Sequence, residues 1–244
     1  MESGKWKMLD EYLKNAKVVD LSPTLERGMP KFPTHPQIVI DQSITHEHDG
    51  YYCQTINMGE HSGAHVDAPA HMLPEKMNQT VDSFPANMLF GPAIKYDLFR
   101  VGAVAGERIT KEDILRLEEE MGDAAKEGDI VLLDFGWMKY WSCDSGWKNY
   151  AMDEPGLSED AVALFADRKV KAVGSDTIAC DTPMINGKED FSYGHKKYWL
   201  PNGIFIMEMI ANMDQLPTRS YFMAIPLKIK NGSGSPIRPL AIID

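Results

Sequence analysis

The stretch 61–71 concentrates side chains that bind metals. Four potential ligands fall within it: His61, His65, Asp67 and His71. A helix would point Asp67 about 200° away from His65, at ~100° per residue, and Gly63 and Pro69 also disfavour a helix. In an extended segment alternate side chains share a face, so these odd-numbered residues are predicted to share one face until Pro69 bends the chain. Gly63 then leaves an open position between two imidazoles, where a metal or ligand could bind.

Two imidazoles and one carboxylate are suitable ligands for Zn²⁺, Mn²⁺ or Fe²⁺. The stretch contains no sulfur ligand, which disfavours Cu(I) and closed structural zinc sites. A site with few protein ligands keeps open coordination positions, as catalytic metal sites do. The alternative is a loop of polar residues that satisfy one another. Three histidines and one aspartate on a shared face favour the metal site.

The same stretch resembles the signature His-x-Gly-Thr-His-x-Asp-x-Pro-x-His of the cyclase family of metal-dependent hydrolases. This family includes bacterial kynurenine formamidases and isatin hydrolases. The one departure is Ala64, which stands where the family usually has Thr and is similar to the isatin hydrolase branch. Further segments that look like family landmarks follow in order along most of the chain: 20–23, 28–33, 174–177, His195, 202–208, 226–228 and 234–238.

The resemblance implies roles for seven residues. Five match metal ligands of the family: His61, His65, Asp67, His195 and Glu208. In dinuclear members the aspartate bridges two metals, and the later histidine and glutamate complete the second site. His71 matches the catalytic acid/base, and Phe32 matches an aromatic side chain that lines the substrate pocket. The resemblance also implies Mn²⁺ or Zn²⁺, one or two ions per chain, and a homodimer or higher oligomer.

Amide hydrolysis is a reaction to which these residue types are suited. A divalent ion lowers the pKa of bound water from ~15.7 towards ~7 and polarises a carbonyl group. A histidine with a pKa near ~6.5 can carry a proton from the water to the departing nitrogen. The predicted function is therefore hydrolysis of a small aromatic amide. The substrate is either a cyclic amide similar to the isatin lactam or an aryl formamide similar to N-formylkynurenine.

Two other functions remain compatible with the same residues. Two histidines and one carboxylate can also form the iron site of a non-haem oxygenase. A catalytically silent protein that binds a metal or a small molecule is the third interpretation. Glu208 ends an apolar run, where a carboxylate is costly unless it is paired or bound to metal, and a salt bridge to Lys228 or Arg238 is its alternative role.

Several other polar and aromatic residues are weaker candidates. His46 and His48 have a metal-like spacing but adjoin Asp49-Gly50, which favours a solvated turn. His35 lies on the surface or at the pocket mouth. Asp176 either orients a ligating imidazole or caps a strand end. Besides Phe32, four aromatic residues are candidates for a pocket wall, although each is more often plain core: Trp137, Trp141, Tyr193 and Trp199.

The composition limits the class of protein. The chain has 244 residues, of which 43% are hydrophobic and 25% are charged, and its net charge is −11. These values are typical of a soluble globular protein, and the negative charge opposes binding to nucleic acid or anionic lipid. No apolar run is long enough to cross a membrane. Three widely spaced cysteines suggest no disulfide framework, so a cytoplasmic location is expected.

The hydrophobic pattern predicts a mixed α/β protein with one domain over residues 1–244. A continuous apolar run at 129–135 predicts a buried strand, and Thr110 and Ser158 each begin a predicted helix. Strands outnumber helices, which argues against a regular βαβ winding. The fold that the resemblance implies is of the swivelling β/β/α type, with a β-barrel-like core and peripheral helices.

Overall fold

The computed structural model describes residues 4–243. Five α-helices occur in this part of the chain: α1 (Lys5–Asn15), α2 (His46–Asp49), α3 (Lys111–Met121), α4 (Trp147–Ala151) and α5 (Glu159–Asp167). The first eight strands are β1 (Lys17–Asp20), β2 (Val39–Ile44), β3 (Cys53–Asn57), β4 (His65–Asp67), β5 (Leu89–Asp97), β6 (Arg108–Ile109), β7 (Ile130–Asp134) and β8 (Gly156–Leu157). The remaining strands are β9 (Ala172–Ser175), β10 (Met184–Ile185), β11 (Lys188–Glu189), β12 (Phe205–Glu208), β13 (Arg219–Ala224), β14 (Gly234–Pro236) and β15 (Leu240–Ile243).

Nine strands form one curled, half-barrel sheet in the order β1-β15-β13-β5-β7-β9-β12-β4-β14. The central strands β5, β7, β9 and β12 are parallel, and the outer pairs are antiparallel. Helix α3 connects β5 to β7, and α5 connects β7 to β9, because parallel neighbours need a crossover. The mixed α/β class is confirmed, but the centre of the sheet has more regular βαβ winding than the sequence pattern predicted.

Both faces of the sheet are buried, which explains the continuous apolar run in β7. Val131 and Leu133 pack on the face that α3 and α5 cover, with Phe165 of α5 among their neighbours. Ile130 and Leu132 pack on the opposite face. That second core also contains residues from both ends of the sheet, namely Val19 of β1, Val66 of β4 and Ala241 of β15. The sheet therefore curls around its own inner core, as a barrel-like fold requires.

The two predicted long helices begin where the sequence places them. Thr110 caps α3 with a full capping box, since its hydroxyl accepts the N–H of Asp113 and the Asp113 carboxylate accepts the N–H of Thr110. Helix α5 follows Ser158, whose hydroxyl bonds to Asp160. Both helices bury one apolar face against the sheet.

Two elements lie on the outside of the molecule. Helix α1 has no buried residue, and the hairpin of β2 and β3 is almost entirely exposed. None of the helices in the described part of the chain has the length and apolarity required to span a bilayer.

Candidate active site

Two adjacent strands position the centre of the site. Strand β4 pairs antiparallel with β12, and the register places His65 directly opposite Glu208. Val66 packs into the inner core, so the alternation of the strand directs His65 and Asp67 to the other face. The side chains of His65, Asp67 and Glu208 are almost fully buried, and their acidic and imidazole groups meet where β4 and β12 lie side by side.

A turn, and not the alternation of a strand, brings the side chain of His61 to the cluster of His65, Asp67 and Glu208. Strand β4 begins only at His65, and Gly63 adopts a left-handed conformation with φ of +62°. A Cβ on Gly63 would lie 2.4 Å from Cδ2 of Leu25, so the glycine makes room for that side chain. The prediction that Gly63 leaves a ligand position between two imidazoles is therefore wrong, because its missing side chain permits the turn.

His195 comes from a distant part of the chain. It lies on the π-helix Gly194–Tyr198, a rare element that often marks functional sites. The carboxylate of Asp181 accepts hydrogen bonds from Nδ1 of His195 and from the backbone N–H of Gly194, each at 2.5 Å. Nε2 of His195 consequently faces Asp67 and Glu208, at 3.3 Å from Oδ2 and 3.4 Å from Oε1.

The five predicted ligands form two donor groups that share Asp67. The first group is His61, His65 and Asp67, and the second is Asp67, His195 and Glu208. Within each group the ligand atoms lie within 4.8 Å of one another. Oδ1 of Asp67 faces the first group, at 2.6 Å from Nδ1 of His61 and 3.5 Å from Nε2 of His65, whereas its Oδ2 faces His195.

Unpaired buried atoms show that the cluster suits a cation. Nε2 of His65 and Oδ2 of Asp67 are buried and make no hydrogen bond to the described residues, although each lies near a group of the cluster. Buried polar atoms are rarely left without a partner, and each such atom calls for a specific explanation. Imidazole nitrogens and carboxylate oxygens are also ligands that Zn²⁺ and Mn²⁺ accept. The residues present therefore fit a divalent ion.

The imidazoles and carboxylates of the cluster stabilise each other's charged forms. Burial alone would lower the pKa of His65, but the neighbouring carboxylates of Glu208 and Asp67 raise it to about 8. Burial and the charge of Asp67 would raise the pKa of Glu208, yet the neighbouring imidazoles of His195 and His65 lower it to about 2. The carboxylate of Glu208 is thus ionised at neutral pH, which is the form that binds a divalent cation.

Further hydrogen bonds hold the ligand side chains from outside. Nδ1 of His65 donates to the carbonyl of Gly63 at 2.8 Å, which leaves Nε2 free for the cluster. Nε2 of His61 lies 3.0 Å from the hydroxyl of Ser233, which donates to Glu60 at 2.6 Å. The backbone N–H of Cys180 donates to Oε1 of Glu208 at 2.9 Å. Such partners orient ligands and fix the tautomers of imidazoles.

His71 lies beside the cluster but belongs to neither donor group. It ends the short 3₁₀ helix Pro69–His71, and its ring centroid lies 4.0 Å from that of His61 and 6.2 Å from that of His195. Burial lowers the pKa of His71 to about 4, although the charge of Asp67 opposes the change. The imidazole is therefore neutral at neutral pH and can accept a proton.

A cavity of about 150 Å³ opens onto the cluster. Five histidines, two glutamates, one serine and five apolar residues line it: Phe32, His35, His61, His65, His71, Met72, Ile178, Ala179, Glu189, Ser192, His195, Glu208 and Met209. Phe32 and His35 lie together at one wall, with their ring centroids 5.2 Å apart. Of the five aromatic residues proposed from the sequence for this wall, Phe32 alone lines the cavity, and Trp137 and Trp199 pack in the core.

The contacts decide between the alternative roles that the sequence left open. Arg238 pairs with Asp20, and the ionic neighbours of Glu208 are imidazoles. Asp176 accepts backbone N–H groups of the segment after β7, those of Phe135, Trp137 and Met138, so it caps that segment instead of orienting an imidazole.

The residue that does orient an imidazole is Asp181, which the sequence analysis missed. It lies fourteen residues before His195, and the strand pair β10–β11 intervenes, so no single helix or strand relates the two residues. No pattern in the sequence therefore indicates the pair.

The fold and this site define a mixed α/β protein with a cluster of potential metal ligands near one edge of a curled sheet. The chain belongs to the family described as "Putative cyclase", whose model matches residues 19–182. It is 27% identical to isatin hydrolase from Roseibium aggregatum over 94% of this chain and 88% of that protein. It is also 27% identical to kynurenine formamidase from Salinibacter ruber over 75% of this chain and 76% of that protein.

Solved structures agree with this assignment. Isatin hydrolase A from Labrenzia aggregata, bound to benzyl benzoate, matches with a TM-score of 0.84 and 28% identity over 98% of this chain and 99% of that one. A predicted metal-dependent hydrolase from Bacillus stearothermophilus matches with a TM-score of 0.70 and 27% identity over 93% and 98% of the two chains. The predicted family, fold class and class of enzyme, a metal-dependent hydrolase, are confirmed.

Proposed function

We propose that this protein hydrolyses the C–N bond of a small aromatic amide, with a cyclic amide similar to isatin as the first candidate. The observation that carries the proposal is the convergence of two donor groups on Asp67, next to an imidazole that belongs to neither. The similarity to isatin hydrolases over nearly the whole chain supports a lactam, as does Ala64 in the signature. The similarity to kynurenine formamidase makes an aryl formamide the second candidate.

The proposed roles follow from the positions of the side chains. His61, His65, Asp67, His195 and Glu208 would hold the metal. A divalent ion bound there supplies polarisation of the amide carbonyl and a lower pKa for water. His71 is neutral and lies at the cavity wall, so it can take a proton from water and deliver it to the leaving nitrogen. Phe32 offers a flat apolar surface to an aromatic ring.

The ions that we propose are Mn²⁺ or Zn²⁺. Asp67 presents Oδ1 to one donor group and Oδ2 to the other, so it would contribute to both groups, which supports two ions per chain. We further propose a homodimer or higher oligomer, supported by exposed apolar side chains of α1 and β3 such as Trp6, Leu9 and Ile56. A cytoplasmic location is supported by the three free cysteines, and the acidic charge supports neither nucleic acid nor membrane as a partner.

The decisive experiment is ring opening of isatin, followed by absorbance, with purified protein reconstituted in Mn²⁺ or Zn²⁺. A chelator-treated sample is the control, and N-formylkynurenine is assayed in parallel. Turnover of isatin that chelation abolishes and metal restores would support the proposal. Turnover of the formamide alone would replace the lactam by the second candidate. Turnover that requires both Fe²⁺ and O₂ would instead favour an oxygenase.

A further inference from the structure

Glu154 is a fully buried carboxylate outside the two donor groups and outside the cavity wall. It lies between α4 and β8, and its backbone forms a bridge with Met184. Its Oε2 accepts the backbone N–H of Ile178 at 2.8 Å, and its Oε1 accepts that of Ala179 at 2.9 Å. The side chain is therefore directed at the backbone of one short segment.

That segment, residues 178–181, contributes to the cavity wall and contacts two of the proposed ligands. The side chains of Ile178 and Ala179 line the cavity. The N–H of Cys180 donates to Oε1 of Glu208. The carboxylate of Asp181 holds the imidazole of His195. Four consecutive residues thus connect the cavity wall with two of the proposed ligands.

Two glutamates accept hydrogen bonds from the backbone of the segment. Three consecutive N–H groups point to carboxylates, those of Ile178 and Ala179 to Glu154 and that of Cys180 to Glu208. The peptide planes are linked through the chain, so the direction of the third N–H depends on the orientation of the first two.

Electrostatics explain why the hydrogen bonds of Glu154 are made to the backbone. Burial raises the pKa of Glu154 well above its usual value, the two N–H groups oppose the change, and the charges of Glu208 and Asp176 add to it. The charged neighbours that act on it are acids, and the backbone N–H groups of Ile178 and Ala179 favour its ionised form. An interior carboxylate is costly and is retained where its bonds are specific.

We propose that Glu154 is a positioning residue, which sets the metal affinity and the shape of the cavity through residues 178–181. It acts on Glu208 through the N–H of Cys180 and on His195 through Asp181. The inference rests on the proposed metal-dependent function and adds to it a residue that touches neither the ions nor the substrate.

The test compares Glu154→Gln with Glu118→Gln in the full chain. The amide of Gln offers one acceptor oxygen and one NH₂ group, so one of the two backbone N–H groups loses its acceptor. Binding of Mn²⁺ and of Zn²⁺ to chelator-treated protein is measured by calorimetry, followed by kcat and KM. We expect the metal affinity of Glu154→Gln to fall about 10- to 100-fold, as for other residues that orient ligands. KM is expected to rise because Ile178 and Ala179 shift.

Glu118 is the matched control because it is also a buried glutamate. Its carboxylate bonds to Tyr96 and to Arg168, between α3 and α5 and away from residues 178–181. Glu118→Gln is expected to lower the thermal stability while metal affinity and KM stay at the wild-type values. Glu154→Asp keeps both acceptor oxygens on a shorter stem and should weaken metal binding less than Glu154→Gln. If Glu154→Gln does not fold, the metal affinity of Glu154→Asp is measured in its place.

The outcomes separate this inference from the proposed function. If Glu154→Gln loses stability as Glu118→Gln does but binds metal and substrate like the wild type, the positioning role is overturned. If the wild-type protein binds neither Mn²⁺ nor Zn²⁺, the proposed function fails, and this inference fails with it before any variant is compared.

Discussion

Asp181 and His195 form a buried pair in which Oδ1 of the aspartate lies 2.5 Å from Nδ1 of the imidazole. The pair places the proton of His195 on Nδ1 and leaves Nε2 directed at Asp67 and Glu208. Burial alone would lower the pKa of His195, but the charge of Asp181 and its hydrogen bond raise it well above its usual value. A carboxylate that orients an imidazole in this way is typical of metal sites.

We predict that Asp181→Asn weakens metal binding by about 10- to 100-fold. The amide can still accept the proton of Nδ1, but its NH₂ group would then face the N–H of Gly194, and both are donors. Calorimetric titration of chelator-treated protein measures the effect. Asp176→Asn is the control, because Asp176 is equally buried but bonds to the backbone after β7. Equal loss of affinity in both variants would show that the effect is general destabilisation.

The number of ions can be tested by removing one donor group at a time. Elemental analysis of reconstituted protein should give two ions per chain for the wild type. His61→Ala and His195→Ala should each reduce the content to about one, because each removes a donor from a single group. Asp67→Ala should bind none, since both groups share it. A wild-type content of one ion, unchanged in His195→Ala, would restrict the site to the first group.

The sequence predicted those parts of the site and fold that depend on local patterns. The ligands at 61–67 were recognisable because they lie close together, and the capping box of α3 and the buried strand β7 follow from residue order. The curl of the sheet was expected from the resemblance alone. The hydrophobic pattern did not indicate that β5, β7, β9 and β12 are parallel, because β9 and β12 have only four residues each.

Contacts across long separations could not be predicted in the same way. Glu154 accepts a hydrogen bond from Ile178, and Asp181 accepts one from His195. No local pattern in the sequence connects either acid with a ligand. His61 was assigned to the correct cluster for an incorrect reason, since a left-handed turn at Gly63 brings it there. The residue types of the cluster were therefore more informative than the assumed geometry of the segment.

Gly63→Ala should destabilise the protein and weaken metal binding together. A left-handed conformation costs a residue with a Cβ on the order of 1 kcal/mol, and here the Cβ would also displace Leu25. The turn carries the carbonyl that holds His65, so a shift should reach the ligand. Gly122→Ala is the matched control, because Gly122 has a similar φ of +66°. No atom of the described residues lies within 4 Å of the position that its Cβ would take.

Thermal unfolding and metal titration of both glycine variants test this prediction. Gly122→Ala should lose on the order of 1 kcal/mol of stability and retain the wild-type metal affinity. Gly63→Ala should lose more stability and bind metal more weakly. If the two variants behave alike in both measurements, the space that Leu25 fills has no influence on the site.

A surface ion pair should make stability depend on pH. Arg219 binds Asp123 through two hydrogen bonds of 2.6 and 2.9 Å, and this contact lowers the pKa of the carboxyl group below its usual 3.8. When the pKa of a carboxyl group is lower in the folded than in the unfolded protein, its ionised form stabilises the fold at pH values above the unfolded-state pKa. This stabilisation is lost as the pH falls through the pKa of the folded state. Asp123→Asn should therefore cost on the order of 1 kcal/mol at pH 7 and progressively less below about pH 4.

Thermal melts of both proteins between neutral and acidic pH measure this difference. Asp10→Asn is the control, because the pair of Asp10 with Lys14 on α1 is exposed on both sides. It should change the melting temperature little at any pH. A constant difference between wild type and Asp123→Asn down to the lowest pH would assign the cost of the substitution to packing and not to charge.

His71 distinguishes metal binding from proton transfer. Because it belongs to neither donor group, His71→Ala should keep the wild-type metal content. Because it is the neutral imidazole beside the cluster, the same variant should lose turnover by on the order of 10²-fold or more. Elemental analysis and kcat, measured on one preparation, test both statements.

His35 provides the comparison for that variant. It lines the same cavity and lies next to Phe32, but its ring centroid lies 5.8 Å from that of His61, compared with 4.0 Å for His71. His35→Ala should therefore raise KM more than it lowers kcat. If His71→Ala empties the site of metal, His71 acts as a ligand, and the proton must be carried by another group. If activity persists in His71→Ala but requires Fe²⁺ and O₂, the cluster supports oxygenase chemistry instead of hydrolysis.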